Sequence, residues 1–238
     1  MNRIITLLLD LVFQANCKSC GNKMKSDRKV CFCGDCWKAI KTIRDPFCIY
    51  CGKQLIIPEE HFCAVCTKRR LSYIDNRSAG IYEGTLKEAL HQFKYKGKKS
   101  LGKALGDFLS DYIEERGGLD DIDFIIPVPI SENKREKREY NQSEILAVLV
   151  GQRYNLPVLK DVLFRTKDTA AQFGLRREER FNNVRGVFEV LCSEKIKWAS
   201  VLLIDDLLTT GATADECSKA LLEAGASQIR VFTLARGL

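Results

Sequence analysis

Apolar residues recur along this chain with two different periods. From Thr85 to Tyr95, Leu86, Ala89, Leu90 and Phe93 fall at helical spacing and predict an amphipathic helix. Leu101 to Ile113 repeats that period through Leu105, Phe108, Leu109 and Tyr112, and Gly117-Gly118 ends it. Phe124-Ile125-Ile126-Pro127-Val128-Pro129 is a short apolar run, read as a strand that its prolines stop. A charged loop follows, then a helix from Gln142 to Arg153 with Ile145, Leu146 and Leu149 inward. Arg165 to Arg185 is polar, and Gly186 to Val190 reads as a strand. Val201 to Ile204 is a stronger strand, with four consecutive apolar residues as in a parallel strand covered on both faces. A helix from Ala214 to Ala224, stopped by Gly225, and a strand from Ile229 to Leu234 complete the pattern. Strands alternating with helices predict a parallel α/β sheet joined by right-handed crossovers. Ligands of such sheets bind at the carboxyl ends of the strands.

The N-terminal stretch Ile4 to Phe13 is apolar except for Thr6 and Asp10. It predicts a short amphipathic helix that lays Ile4, Leu8, Leu11 and Val12 on the body. No apolar run reaches the roughly 18 residues of a membrane span. No small-residue cleavage site follows the stretch, so a secretory leader is not expected and the location is read as cytoplasmic. The 238 residues are 45% hydrophobic and 29% charged, which excludes a disordered chain. The net charge of +7 permits an acidic partner without requiring one.

Cysteine changes the picture most. Nine of the 11 cysteines precede residue 67, which divides a cysteine-rich head, residues 1–70, from a body, residues 71–238. Eight of them form four C-x-x-C pairs: Cys17/Cys20, Cys33/Cys36, Cys48/Cys51 and Cys63/Cys66. Each pair places two thiolates at two corners of a tetrahedron around Zn²⁺, and two pairs close a site. Gly21, Gly34 and Gly52 sit beside the cysteines, where a knuckle favours a backbone without Cβ. The gaps of 12, 11 and 11 residues allow consecutive pairing or a cross-braced one, and Cys31 is a spare or a substitute for Cys33. Either pairing fills every corner, so the metal is expected to be structural. Binding a structural zinc is worth on the order of 10–16 kcal/mol in small peptides, enough to fold a head with few apolar residues. Cys217 is expected in the core, and Cys192 has no assignment. The two histidines, His61 and His91, are not placed for a nucleophilic triad.

The sharpest motif is Val201-Leu202-Leu203-Ile204-Asp205-Asp206-Leu207-Leu208-Thr209-Thr210-Gly211-Ala212-Thr213. An apolar strand delivers two carboxylates, and a Thr/Gly loop then enters a helix. The loop N–H groups, the hydroxyls of Thr209, Thr210 and Thr213, and the helix start form an anion pocket sized for one phosphate. Gly211 lets the backbone approach that phosphate. Asp205 and Asp206 would repel it; they suit hydroxyl groups or a hard cation such as Mg²⁺. A ligand with phosphate at one end and a diol with Mg²⁺ at the other is a sugar phosphate. The motif is not a Walker A loop, which needs a lysine after its last glycine.

This segment resembles the phosphoribosyl diphosphate (PRPP) signature of type I phosphoribosyltransferases. Together with the four C-x-x-C pairs, Pro127-Val128-Pro129, Arg138-Glu139-Tyr140-Asn141-Gln142 and the Gln172…Arg180…Asn183-Val184-Arg185-Gly186 stretch, it is similar over essentially the whole chain to the ComF family. These are competence-associated phosphoribosyltransferase-like proteins with an N-terminal zinc finger. The resemblance implies a phosphoribosyltransferase-like parallel sheet with flanking helices behind a double zinc ribbon-like domain. It also implies that Asp205 and Asp206 contact ribose hydroxyls and Mg²⁺ and that Thr209, Thr210, Gly211, Ala212 and Thr213 hold the 5-phosphate. This chain has Glu139 where the family usually has glycine.

Two further segments fit the same chemistry. The loop from Ser131 to Gln142 carries Lys134, Arg135, Lys137 and Arg138; in the related transferases this place handles pyrophosphate, while Glu132, Glu136 and Glu139 offset its charge. Arg165 to Arg185 occupies the place of the mobile active-site loop. Two classes of function remain open. One is transfer of a phosphoribosyl group from PRPP to an unknown acceptor, with a role in natural transformation. The other is a non-catalytic module that senses PRPP or binds single-stranded DNA beside other competence proteins. Phe47, Tyr50, Phe62, Tyr73 and Tyr82 would then stack on bases, or else pack the head on the body.

Overall fold

The run Val201–Ile204 lies in the middle of a four-stranded parallel sheet, hydrogen-bonded on both sides. The computed structural model describes residues 16–24, 31–57, 59–169, 174 and 176–237. The helix expected over Ile4–Phe13 lies outside them, as does Gln172. In chain order the elements are α1 (Gly34–Lys38), β1 (Asp75–Ile81), α2 (Gly84–Tyr95), α3 (Leu101–Glu115), β2 (Phe124–Pro127), α4 (Glu132–Arg138), α5 (Gln142–Tyr154) and β3 (Leu163–Arg165). They continue with α6 (Arg177–Val184), β4 (Phe188–Val190), β5 (Ser200–Leu208), α7 (Ala212–Glu223) and β6 (Gln228–Arg236). The sheet order is β1-β6-β5-β2 and all its pairs are parallel. This is the expected architecture: a parallel sheet with flanking helices behind a small cysteine-rich head.

Side chains alternate across a strand, so β5 feeds two cores. Leu202 and Ile204 pack with Leu86, Leu90 and Phe93 of α2, Leu105 and Leu109 of α3 and Leu146 of α5. Val201 and Leu203 pack with Cys217 and Leu221 of α7 and Phe181 of α6. Cys217 is fully buried, as expected, and Cys192 is exposed. On α5, Leu146, Ala147 and Val150 are the fully buried residues. Ile145 and Leu149 instead lie against α3, where a Cβ on Gly102 or Gly106 would come within 2.8 Å of Ile145 or 2.5 Å of Leu149.

The structure corrects several elements. β1 has no counterpart in the apolar pattern, because its inward Asn76 and Ser78 are polar and hydrogen-bonded to each other, with Ser78 also bonded to Thr233 of β6. The charged stretch after β2 is not a loop but the helix α4. The Arg165–Arg185 stretch holds α6, which buries only Phe181 and Val184 and closes its first turn through Glu179 accepting from the Arg176 N–H. The strand expected at Gly186–Val190 narrows to β4, which pairs antiparallel with β3 in a separate two-stranded sheet.

Candidate functional site

In the head, the thiols gather consecutively. Cys17, Cys20, Cys33 and Cys36 form one group, and Cys48, Cys51, Cys63 and Cys66 the other, with the sulfurs of each group within 4.8 Å of one another. Regular tetrahedral Zn–S bonds of about 2.3 Å require sulfurs about 3.8 Å apart. The Cys20–Cys33 and Cys51–Cys63 separations are 3.8 Å. The donor sets therefore fit two structural Zn²⁺ ions, and no cross-brace forms. Cys31 lies outside both groups; its carbonyl accepts from the Lys18 N–H. In the first and third pairs a glycine N–H turns back on the first cysteine's carbonyl, Gly21 to Cys17 at 2.9 Å and Gly52 to Cys48 at 2.7 Å. Both glycines have positive φ, as expected, whereas Gly34 does not and opens α1. Inside the second group, hydrogen bonds from Cys51 and Cys66 draw the Cys48 thiol down to about 3. Those shared bonds push the Cys66 thiol up.

The expected acidic pair lies inside β5 rather than beyond its end. β6 continues alongside β5 through Asp205↔Thr233 to Leu208↔Arg236, so the strand extends four residues past Ile204. On the other side β2 stops at Pro127, opposite Ile204. That early stop leaves Asp205–Leu208 without a β2 partner on that side. Within a strand they point to opposite faces. Asp205 accepts from the Ser143 hydroxyl at 2.9 Å, at the start of α5. Asn141 fixes that start by capping the Ser143 N–H at 3.0 Å and donating to the Val128 carbonyl at 2.9 Å. Burial, and then Asp206 next to it, push the Asp205 carboxyl up to about 7. Asp206 faces α2 and pairs with Lys94 at 2.7 Å, their side chains only 10% and 14% exposed.

A shallow pocket opens beside this strand, lined by Asp205, Leu207, Leu208, Thr209, Gly211, Ala212, Thr213 and Ala214. Four of the five expected phosphate residues line it; the fifth, Thr210, turns inward, with its hydroxyl accepting from the Ala212 N–H at 3.4 Å. Gly211 has φ +85°, and α7 begins at the next residue. Asp205 lines this pocket, while Asp206 is on the opposite side.

The basic segments divide. Arg135 pairs with Glu144 at 3.1 Å, which also holds Lys160, so Arg135 is committed to α5. Arg138 lies 4.8 Å over the Tyr95 ring and donates to Gln142. Burial lowers the Lys134 ammonium, and Arg165, Arg138 and Lys94 reinforce the shift, so these cations share one field. Arg165 is anchored by Thr169 and the Lys167 carbonyl. Glu139, where glycine was the family pattern, caps α4 with φ +64°, a left-handed conformation that explains a preference for glycine there. Sequence reasoning missed Lys94 as a site residue. It falls four residues after Leu90 and eight after Leu86, an inward position on an amphipathic helix occupied by a charge. That misfit was its visible signal.

The aromatics expected at the head mostly pack. Tyr73 is buried, and Tyr50 lies edge-on to it at 6.4 Å. Phe47 sits between Arg77 and Arg116. Phe62 stacks on Tyr50 at 5.0 Å but is 36% exposed. His61 is exposed and outside both thiol groups, and His91 rests on Tyr95. Among the described residues no helix is long and apolar enough to cross a membrane.

Fold and site together define a parallel α/β protein with an acidic strand and a pocket along its Thr/Gly loop, carrying two four-cysteine zinc sites. Residues 8–67 match the double zinc ribbon domain family. Over 208 residues the chain is 29% identical to competence protein F of Haemophilus influenzae, covering 86% of this chain and 90% of that one. Over 225 residues it is 29% identical to competence protein ComFC of Bacillus subtilis, covering 90% and 86% respectively. The chain is a homologue of these two competence proteins over most of its length. A distant structural likeness is to adenine phosphoribosyltransferase from Leishmania tarentolae, 16% identical, with a TM-score of 0.35 over 57% of this chain and 70% of that one.

Proposed function

We propose that this chain binds PRPP with Mg²⁺ and transfers the phosphoribosyl group to an acceptor, acting in the cytoplasm during DNA uptake alongside other competence proteins. The observation that carries the reading is the pocket that Thr209 and Gly211–Ala214 line together with Asp205. Thr209, Gly211, Ala212 and Thr213 hold the 5-phosphate. Asp205 accepts from the ribose hydroxyls on the pocket side, Asp206 joins it by exchanging its Lys94 partner for the ligand, and carboxylate oxygens fit a hard cation. Mg²⁺, when bound, neutralises the diphosphate and makes it a better leaving group. Lys134, Arg138 and Arg165 supply further positive charge, worth most where water is excluded. Arg135, already paired with Glu144, has the smaller part.

In the reaction an acceptor nitrogen attacks C1 of the ribose. The bond from C1 to the diphosphate oxygen breaks with both electrons leaving on pyrophosphate, and the acceptor sheds a proton. The transition state resembles an oxocarbenium ion, as in glycosyl transfer, and the acidic pair balances its charge. A PRPP-dependent pyrophosphate-release assay across a panel of bases and ammonia tests this. Release by the wild type and none by Asp205→Asn/Asp206→Asn is the expected result; no release with any acceptor overturns the transferase reading.

A second reading is favoured by one surface. Phe62, Ile56 and Val65 are exposed in the second ribbon, in a stretch of chain that also carries exposed Lys68 and Arg70. An exposed aromatic ring with cations close to it in the chain suits single-stranded DNA. A gel shift with steep salt dependence, weakened by Phe62→Ala combined with Lys68→Ala and Arg70→Ala in the zinc-loaded protein, supports that role; equal affinity of that variant argues against it.

A further inference from the structure

We infer that the second zinc site is a positioning element for the anion loop, joined to it by Arg236 and Tyr73, so that metal at one and phosphate at the other stabilise each other. The inference rests on the reading that residues 209–213 hold a ligand phosphate.

Three contacts carry it, at the start, middle and end of the loop. Arg236 is 9% exposed, yet among the described residues no carboxylate pairs with it. Its guanidinium donates instead to carbonyls, through Nε to Cys51 and through Nη1 to Gly237 and, at 3.3 Å, to Leu208. Cys51 is a zinc ligand, and Leu208 is the last residue of β5 before the loop. A buried charge must be satisfied, so both carbonyls are held by one rigid, five-donor side chain.

Tyr73 makes the second contact. Its hydroxyl donates to the Tyr50 carbonyl at 2.8 Å, one residue before Cys51. A Cβ on Gly211 would lie 2.8 Å from the same oxygen, so the middle of the loop rests directly on the ribbon's support. The third contact pins the helix start. Asp215, in the first turn of α7, accepts from the Ser72 N–H at 2.6 Å and pairs with Arg69 at 3.7 Å. Ser72 and Arg69 lie in the segment that leaves the last knuckle.

The second group is also continuous with the core beneath the loop, sharing a cluster with Leu208, Ala212 and Ala214. The first group is tied to the body elsewhere, through Ser19 bonded to Thr85 at 2.8 Å. Coupling between two sites is reciprocal. Phosphate binding should therefore slow metal release from the second site and leave the first unchanged.

The test uses the full-length, zinc-loaded protein. Calorimetry first measures ribose 5-phosphate binding, and release of zinc to a chromogenic chelator is then followed with and without saturating ribose 5-phosphate. The release is expected in two phases, with the slow phase alone retarded about 5-fold or more. Arg236→Gln should abolish that retardation, with Arg236→Lys restoring part of it. The d–d bands of the Co²⁺-substituted wild type should shift on ligand addition, a readout that needs no variant to fold. Equal release rates and an unchanged Co²⁺ spectrum with ligand bound overturn the coupling and leave the anion-loop reading standing. No ribose 5-phosphate binding by the wild type overturns both.

Discussion

The two zinc centres have the same four-cysteine donor set, and their first knuckles share one backbone turn, yet the protein uses them differently. All four ligands of the second are buried, within the core that runs under α7. In the first, Cys17 is buried, Cys33 and Cys36 are half-buried and Cys20 is exposed, at the margin of the core formed by α2, α3 and α5. The ligand set decides which metal binds; the packing around it decides how much of the molecule depends on that metal. The first centre is a clasp on one face of the sheet, while the second is part of the wall behind the candidate pocket.

The largest effect that tests this contrast is loss of a ligand. Cys63→Ser should release the second zinc and remove the cooperative thermal transition of the whole chain. Structural zinc contributes on the order of 10 kcal/mol or more, and here that energy supports a shared core. Cys20→Ser should release one zinc and keep a cooperative transition for the body. Zinc content and circular dichroism melts read both; equal damage from the two variants would erase the distinction.

Gly211→Ala should have a middle-sized effect. The residue sits at φ +85°, and its new methyl would meet the Tyr73 hydroxyl, so a cost of ~1–3 kcal/mol is expected by denaturant titration. If the second ribbon supports the loop, the same variant also speeds zinc release from the second centre only.

The last effect is on pH dependence, where head and body have opposite signs. Zinc thiolates protonate as pH falls, so the head loses stability toward acid. Asp205 is raised to about 7 by burial and Asp206. Its contribution is therefore full below the ordinary carboxylate pKa of about 4 and is lost as pH rises through about 7. Asp205→Asn should gain stability relative to wild type between pH 5 and pH 8. A difference in melting temperature that stays constant across that range would contradict the burial of this carboxyl.

Legibility in the sequence followed the physics of each segment. The cysteine pairs were readable because metal geometry imposes a fixed spacing; which pairs join was not, because equal gaps fit either pairing. The Asp205–Thr213 motif was readable because its chemistry is local. That β5 continues through both carboxylates was hidden, since it depends on β6 staying alongside while β2 stops at Pro127. β1 was invisible to an apolar pattern because its buried Asn76 and Ser78 are satisfied by each other and by Thr233, a partner 155 residues from Ser78. Lys94 could be seen as a misfit on an apolar face, but only the fold supplies Asp206 as its partner. Arg236 gave no signal at all, because its partners are main-chain carbonyls.

The central claim is that the acidic strand and the Thr/Gly loop form one site for PRPP. Calorimetry with Mg²⁺ and the folded, zinc-loaded protein tests it most directly. The account predicts saturable one-site binding by the wild type and none by Asp205→Asn/Asp206→Asn with its zinc content intact. Absence of binding to the wild type, or equal binding by the double variant, would contradict it.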